Sequence, residues 1–209
     1  MAIPFLINPP VTANEEYGYL LGIICSDGTI DFKNNFIAIR MNDVVTIERV
    51  RDIANRLLSK DIQIHTYENS PHINICSKQF IQSIAELKES PKQYLRTSHD
   101  HLGFWKGMWD GDGGVSIPHD ATKVGTEALI FLTVGKVELA TKLHSMLSEY
   151  VAISNVQRTT DEYGGWCTIR IKIADIKRFA ETIGFRETYK EERFRQVVEA
   201  RWNKGLIRV

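Results

Sequence analysis

The chain has 209 residues, with 26 basic and 26 acidic side chains and a formal net charge of zero. That balance excludes a uniformly basic nucleic-acid coat and leaves local clustering as the route to phosphate binding. Apolar residues make up 43% of the chain, enough for a sizeable core, but no run is long enough to cross a bilayer. Cys25, Cys76 and Cys167 are odd in number and form no Cys-x-x-Cys pair, which points to reduced thiols in a cytosolic setting. Met1 to Pro10 is apolar but has no basic start, so no secretion signal is expected. The location that follows is cytoplasmic (bacterial or phage) or organellar.

The first element is an apolar helix over 18–28. Gly18, Gly22 and Ser26 stand four apart, hence on one face, and Asp27 and Gly28 close the segment. Residues 29–40 read as a hairpin turning at Lys33-Asn34-Asn35. Asn42 or Asp43 can cap a helix over 44–59, with Val44, Ile47, Val50, Ile53, Ala54 and Leu57 inward. Strands follow near 61–68 and 71–77, then a helix over 78–88 burying Phe80, Ile81, Ile84 and Leu87. Lys88 to Asp100, rich in Lys, Ser and Pro, reads as a linker.

A second segment, 103–113, repeats the first pattern. Gly103, Gly107 and Gly111 are four apart, and Asp112 and Gly113 end it. Gly22 and Gly107 are 85 residues apart, which marks an internal duplication. The order then repeats. A long hairpin covers 114–134 with a loop at Pro118 to Gly125, and a helix covers 136–150. Strands lie near 152–160 and 166–173, joined by Asp161-Glu162-Tyr163-Gly164-Gly165. A helix over 175–183 is stopped by Gly184, and a last helix runs over 187–203. The fold class is α+β, with two similar αββαββα halves. The boundaries are 1–92, a linker at 93–101, and 102–209, the whole forming one pseudo-dimeric unit.

Glycine inside a helix costs about 1 kcal/mol against alanine. Spending it at fourfold spacing lets two helices approach more closely than the usual 8–10 Å. The natural partner of each stripe is the other copy. Paired about a pseudo-two-fold axis, the helices would bring Asp27 and Asp112 together where the macrodipole is negative. Gly28 and Gly113 fit the left-handed residue that often closes a helix. Two carboxylates among orphan helix carbonyls must raise their pKa values or bind cations. Oxygen-only ligation suits Mg²⁺ or Ca²⁺, so divalent metal sites shared across the axis are expected.

Leu20 through Gly28 and Trp105 through Gly113 resemble the two dodecapeptide motifs of the LAGLIDADG homing endonucleases. The second, with its Asp-Gly-Asp-Gly ending, is the closer match. Cys25 stands where the family often has an acid of mainly structural use. The resemblance implies a single-chain, two-motif enzyme with its motif helices at a central axis and two antiparallel sheets forming a DNA-binding saddle. It implies Mg²⁺-dependent hydrolysis of both strands of double-stranded DNA across the minor groove, by a monomer. Asp27 and Asp112 would be direct metal ligands, and the Ser26 and Gly111 carbonyls further candidates. Ca²⁺ would occupy the sites without supporting cleavage. By position, Lys88 (or Lys92) and Lys190 match lysines that the family adds to its site.

Alternation assigns the open sheet faces. Isoleucines at 62, 64, 73, 75, 169, 171 and 173 alternate with Gln63, His65, Tyr67, His72, Asn74, Thr168, Arg170 and Lys172; Ile37 and Ile39 alternate with Ala38 and Arg40. The outward polar set can read base edges in a major groove. Rival readings fall short. An EF-hand at Asp110 lacks the bidentate Glu at position twelve, where Ala121 stands. His99-Asp100-His101 has no further spaced ligands, and no Lys-Ser/Thr phosphate loop exists. The serious alternative keeps the fold and drops the cleavage, as in an intron maturase or a DNA-binding regulator.

Overall fold

The computed structural model describes residues 10–68, 70–161 and 164–207. The absence of a secretion signal was read from residues that, Pro10 apart, lie outside these, as do Glu162 and Tyr163 of the expected turn. Packing divides the chain into two compact units, one spanning Val11–Gly111 and one beginning at Asp112. The division therefore falls at the end of the second motif rather than at the stretch before it.

The first unit opens with α1 (Glu16–Ser26), followed by β1 (Gly28–Asp31) and β2 (Phe36–Arg40). The Asp43 carboxylate accepts the Thr46 N–H at 3.1 Å and so starts α2 (Val44–Leu58). Ile47, Val50, Ile53 and Ala54 are buried as expected, but Val44 and Leu57 are 53% and 41% exposed. Both lie in terminal turns, where the apolar stripe outruns the stretch that packs on the sheet. Next come β3 (Ile64–Tyr67), β4 (Ser70–Cys76) and a short α3 (Lys78–Ser83), whose continuation still buries Ile84 and Leu87. The four strands form an antiparallel sheet in the order β1-β2-β4-β3. The expected linker is structured. Pro91–Tyr94 is a 3-10 turn, and α4 already begins at Ser98 and runs to Gly111. Thr97 and Asp100 bond reciprocally at its start, the Thr97 hydroxyl accepting the Asp100 N–H and Asp100 accepting the Thr97 N–H.

The second unit contains β5 (Gly113–Ser116), α5 (Val124–Glu127), β6 (Leu129–Val134), α6 (Val137–Leu147), β7 (Gln157–Asp161), β8 (Gly164–Arg170), α7 (Ile176–Thr182) and α8 (Thr188–Asn203). Its sheet has the order β5-β6-β8-β7, the same path as the first. That shared path is the structural trace of the duplication. Residues expected as a plain loop at 118–125 instead hold a 3-10 turn and α5, started by the Asp120 side chain on the Thr122 N–H. The strand expected over 152–160 pairs continuously only from Gln157; Ile153 makes a single bridge to Ile171. Gly184, at φ 57°, closes α7 as expected. No helix among the described residues is long and apolar enough to cross a membrane.

Candidate functional site

The two motif helices touch through their glycines. A Cβ placed on Gly22 would lie 2.2 Å from the Phe104 carbonyl oxygen, and one on Gly107 would lie 2.3 Å from that of Tyr19. Gly18 and Gly103 are as tightly opposed, to the Asp100 and Glu15 carbonyls. At these four glycines main chain lies against main chain, as the fourfold spacing requires. Gly28 and Gly113 depart from expectation. Neither has a positive φ; each starts a strand. Gly28 is needed for a close approach instead, since its Cβ would sit 2.6 Å from the Ile24 carbonyl oxygen.

Asp27 is the C-terminal cap of α1, half-buried at the negative end of that helix. Gly111, the last residue of α4, presses on it. A Cβ there would meet Asp27 Oδ2 at 2.5 Å and the Ser26 hydroxyl at 2.0 Å. That hydroxyl donates back to the Gly22 and Ile23 carbonyls at 3.1 Å. Asp112 follows Gly111 and opens the second unit, its carbonyl accepting the Thr133 N–H. Lys88 is half-buried in a cleft of about 350 Å³ that it shares with Gly28, Thr29 and Glu89, beside the residue after Asp27. Lys92 is exposed on its 3-10 turn. Lys190 sits in the first turn of α8, its N–H held by the Glu187 carboxylate at 2.8 Å. Among the described residues, no three His, Cys, Asp or Glu gather as a ready metal cage.

On the first sheet, Arg40 pairs with His72 and His72 with His65. The Arg40 guanidinium lies 5.5 Å from the Tyr67 ring, and the two histidine rings are 5.7 Å apart. Asn74 is exposed and paired with Ala38. Gln63 precedes β3 and donates to Asp61. On the second sheet, Arg170 is half-buried and Lys172 lies exposed beyond β8. Thr168 was expected to be open but is only 9% exposed. It lies mid-sheet, with Thr133 and Gln157 as its cross-strand neighbours, and they cover it.

Residues 100–184 match the family model of the LAGLIDADG-like domain. That stretch carries a LAGLIDADG-like domain. No curated protein matches the sequence. Its fold is that of the homing endonuclease I-DmoI, solved with DNA and Mn, at a TM-score of 0.60 and 17% identity over 82% of this chain and 97% of that one. It is equally that of the N-terminal LAGLIDADG domain of DUF199/WhiA, at 0.61 and 19% over 86% of each chain. Full-length DUF199/WhiA from Thermatoga maritima matches at 0.61 and 16%, covering 98% of this chain and 66% of that one.

The two motif helices also bury polar groups that patterning did not reveal. Lys106, read as an interruption of an apolar helix, meets Glu15 at 2.9 Å, and both are nearly fully buried. Burial acts to raise the Glu15 pKa, but the Thr12 N–H and the Lys106 ammonium outweigh it and hold the carboxyl below its ordinary value. Asp110, fully buried, accepts the Tyr19 hydroxyl at 2.9 Å. Arg49 of α2 stands beside both. Burial works against its charge, yet Tyr19, Asp110 and Asp43 raise its pKa above the ordinary value. Cys25 holds the corresponding place in the first motif. The signal was one of position: Glu15 at the mouth of one motif and a lone lysine inside the other.

Proposed function

We propose that the protein is a site-specific endonuclease that hydrolyses both strands of double-stranded DNA with Mg²⁺, acting as a monomer. The observation that carries the reading is the carboxylate of Asp27 against the bare Gly111 Cα, immediately before Asp112 in the chain. The Asp27 carboxylate, with the Ser26 and Gly111 carbonyls near the helix ends of the same unit, supplies oxygen donors that fit a hard cation, and Asp112 is the next residue in the chain. When bound, such ions polarise the phosphoryl group, lower the pKa of the attacking water and stabilise the leaving 3′ oxygen. The I-DmoI structures were solved with Mn, Mg or Ca, which supports divalent metal use without singling out one ion.

Asp27 and Asp112 act as metal ligands. Lys88, which lines a cleft with Gly28, steadies a phosphate oxygen with its positive charge; Lys190 is its counterpart in the second unit. Arg40, Gln63, His65, Tyr67, His72 and Asn74 contact one part of the DNA, and Arg170 and Lys172 another, with Thr168 contributing little because it is covered. Asp27→Asn and Asp112→Asn are expected to abolish Mg²⁺-dependent plasmid cleavage while DNA binding in Ca²⁺ persists. Undiminished cutting by either variant refutes the assignment. The likeness to DUF199/WhiA favours a second reading, a nucleic-acid-binding regulator or maturase that does not cut. Tight binding of a selected duplex, with no cutting in Mg²⁺ or Mn²⁺ by the unaltered protein, would establish it.

A further inference from the structure

The outward face of the second sheet carries chemistry that metal-dependent cleavage does not use. Strand register arranges it in four rows: Ser116 opposite Leu129; Gly114, Phe131 and Arg170; Thr133, Thr168 and Gln157; Trp166 opposite Thr159. Leu129 and Trp166 are 37% and 36% exposed, and Phe131 is half-buried. The Phe131 ring lies across Gly114, where a Cβ would be 2.6 Å from its Cζ. Every row thus presents a methyl, branched or aromatic surface. The matching face of the first sheet presents Arg40, His72, His65 and Asn74 at its centre, with Phe36 at one end and Tyr67, 56% exposed, at the other.

Charge indicates what covers the apolar ladder. Arg170 stands in the Phe131 row, and exposed Lys172 continues its strand. A partner that satisfies both is a polyanion with apolar projections. The thymine C5-methyl is the apolar projection of the DNA major groove. Rows repeat every two residues, about 6.7 Å, or about two base steps of 3.4 Å. Four rows span about 20 Å, or about six base pairs. We propose that the second sheet reads thymine methyl groups, so that its half of the site is thymine-rich, while the first sheet reads its half by hydrogen bonds. This inference rests on the DNA reading above.

Two random duplex libraries, one containing thymine and one containing deoxyuridine throughout, are selected for binding to the full chain in Ca²⁺. A thymine-rich segment of about six positions emerges from the first library and is absent from the second. Removing one such methyl from a selected duplex weakens binding about fourfold. Phe131→Ala erases the thymine preference at one or two positions, Phe131→Tyr retains it, and Arg40→Ala relaxes the other half. The same consensus from both libraries overturns the inference and leaves the DNA reading standing. So does a Phe131→Ala protein with an unchanged unfolding midpoint and an unchanged thymine preference. Failure to bind any duplex overturns both. Sedimentation as a dimer that Phe131→Ala dissociates assigns the face to a second copy and overturns the inference.

Discussion

Replacing Gly22 with alanine tests the main-chain contact on which the candidate site depends. The new Cβ would lie 2.2 Å from the Phe104 carbonyl oxygen and 2.9 Å from the Met108 nitrogen. Carbon and carbonyl oxygen rest no closer than about 3.3 Å, so the helices must part locally by about 1 Å. Overpacking costs roughly 1–3 kcal/mol, and the upper end applies because backbone cannot rotate aside. Alanine's better helix propensity returns about 1 kcal/mol. The net loss is about 2 kcal/mol, equivalent to a Tm lower by about 4–8 °C for a chain of this length. The same separation displaces Asp27 from Gly111, and a misplacement of about 1 Å can cost about 100-fold in rate. Gly135→Ala is the control. Nothing lies within 4 Å of its Cβ, and its stability should stay within about 0.5 kcal/mol. Urea and thermal unfolding with plasmid cleavage measure both effects. A Gly22→Ala protein as stable and as active as the unaltered chain refutes the close-contact argument.

Lys106→Met strands a buried carboxylate and is expected to destabilise the fold by about 3–5 kcal/mol in urea unfolding, whereas pairing it with Glu15→Gln recovers most of that loss. The folded Glu15 pKa is depressed, so its contribution is complete above the ordinary value of 4.5 and is lost as pH falls through the lowered folded value. Glu15→Gln should therefore flatten the loss of stability below about pH 4.5, as followed by unfolding at stepped pH. Tyr19→Phe leaves buried Asp110 short of a donor and should cost about 1–3 kcal/mol; unchanged stability would mean Arg49 alone suffices. Arg201, 2% exposed, donates to the Gly125 and Ala128 carbonyls at 3.0 and 2.7 Å. Arg201→Lys cannot reproduce that fork and should lower stability by about 2 kcal/mol, with hydrogen exchange faster across 124–128.

Much of this molecule was legible before its coordinates. The glycine spacing in 18–28 and 103–113 announced a helix contact because glycine is costly inside helices and only a close approach repays it. Caps at Asp43 and Gly184, and alternation across β2 and β4, are local signals read over a few residues, and they located those elements. Other features depended on groups far apart in sequence. Lys106 looked like a flaw in an apolar helix until Glu15, 91 residues away, lay beside it. Thr168 alternates like an outward residue, but its burial depends on which strands flank it. The break between compact units falls after Gly111 rather than in the polar stretch before α4, because α4 packs on α1 and chain composition carries no record of that partner. Local stereochemistry, in short, determined where helices, strands and turns would form. Long-range packing decided which polar groups are buried and which remain exposed, because burial depends on neighbours that no short window of residues contains.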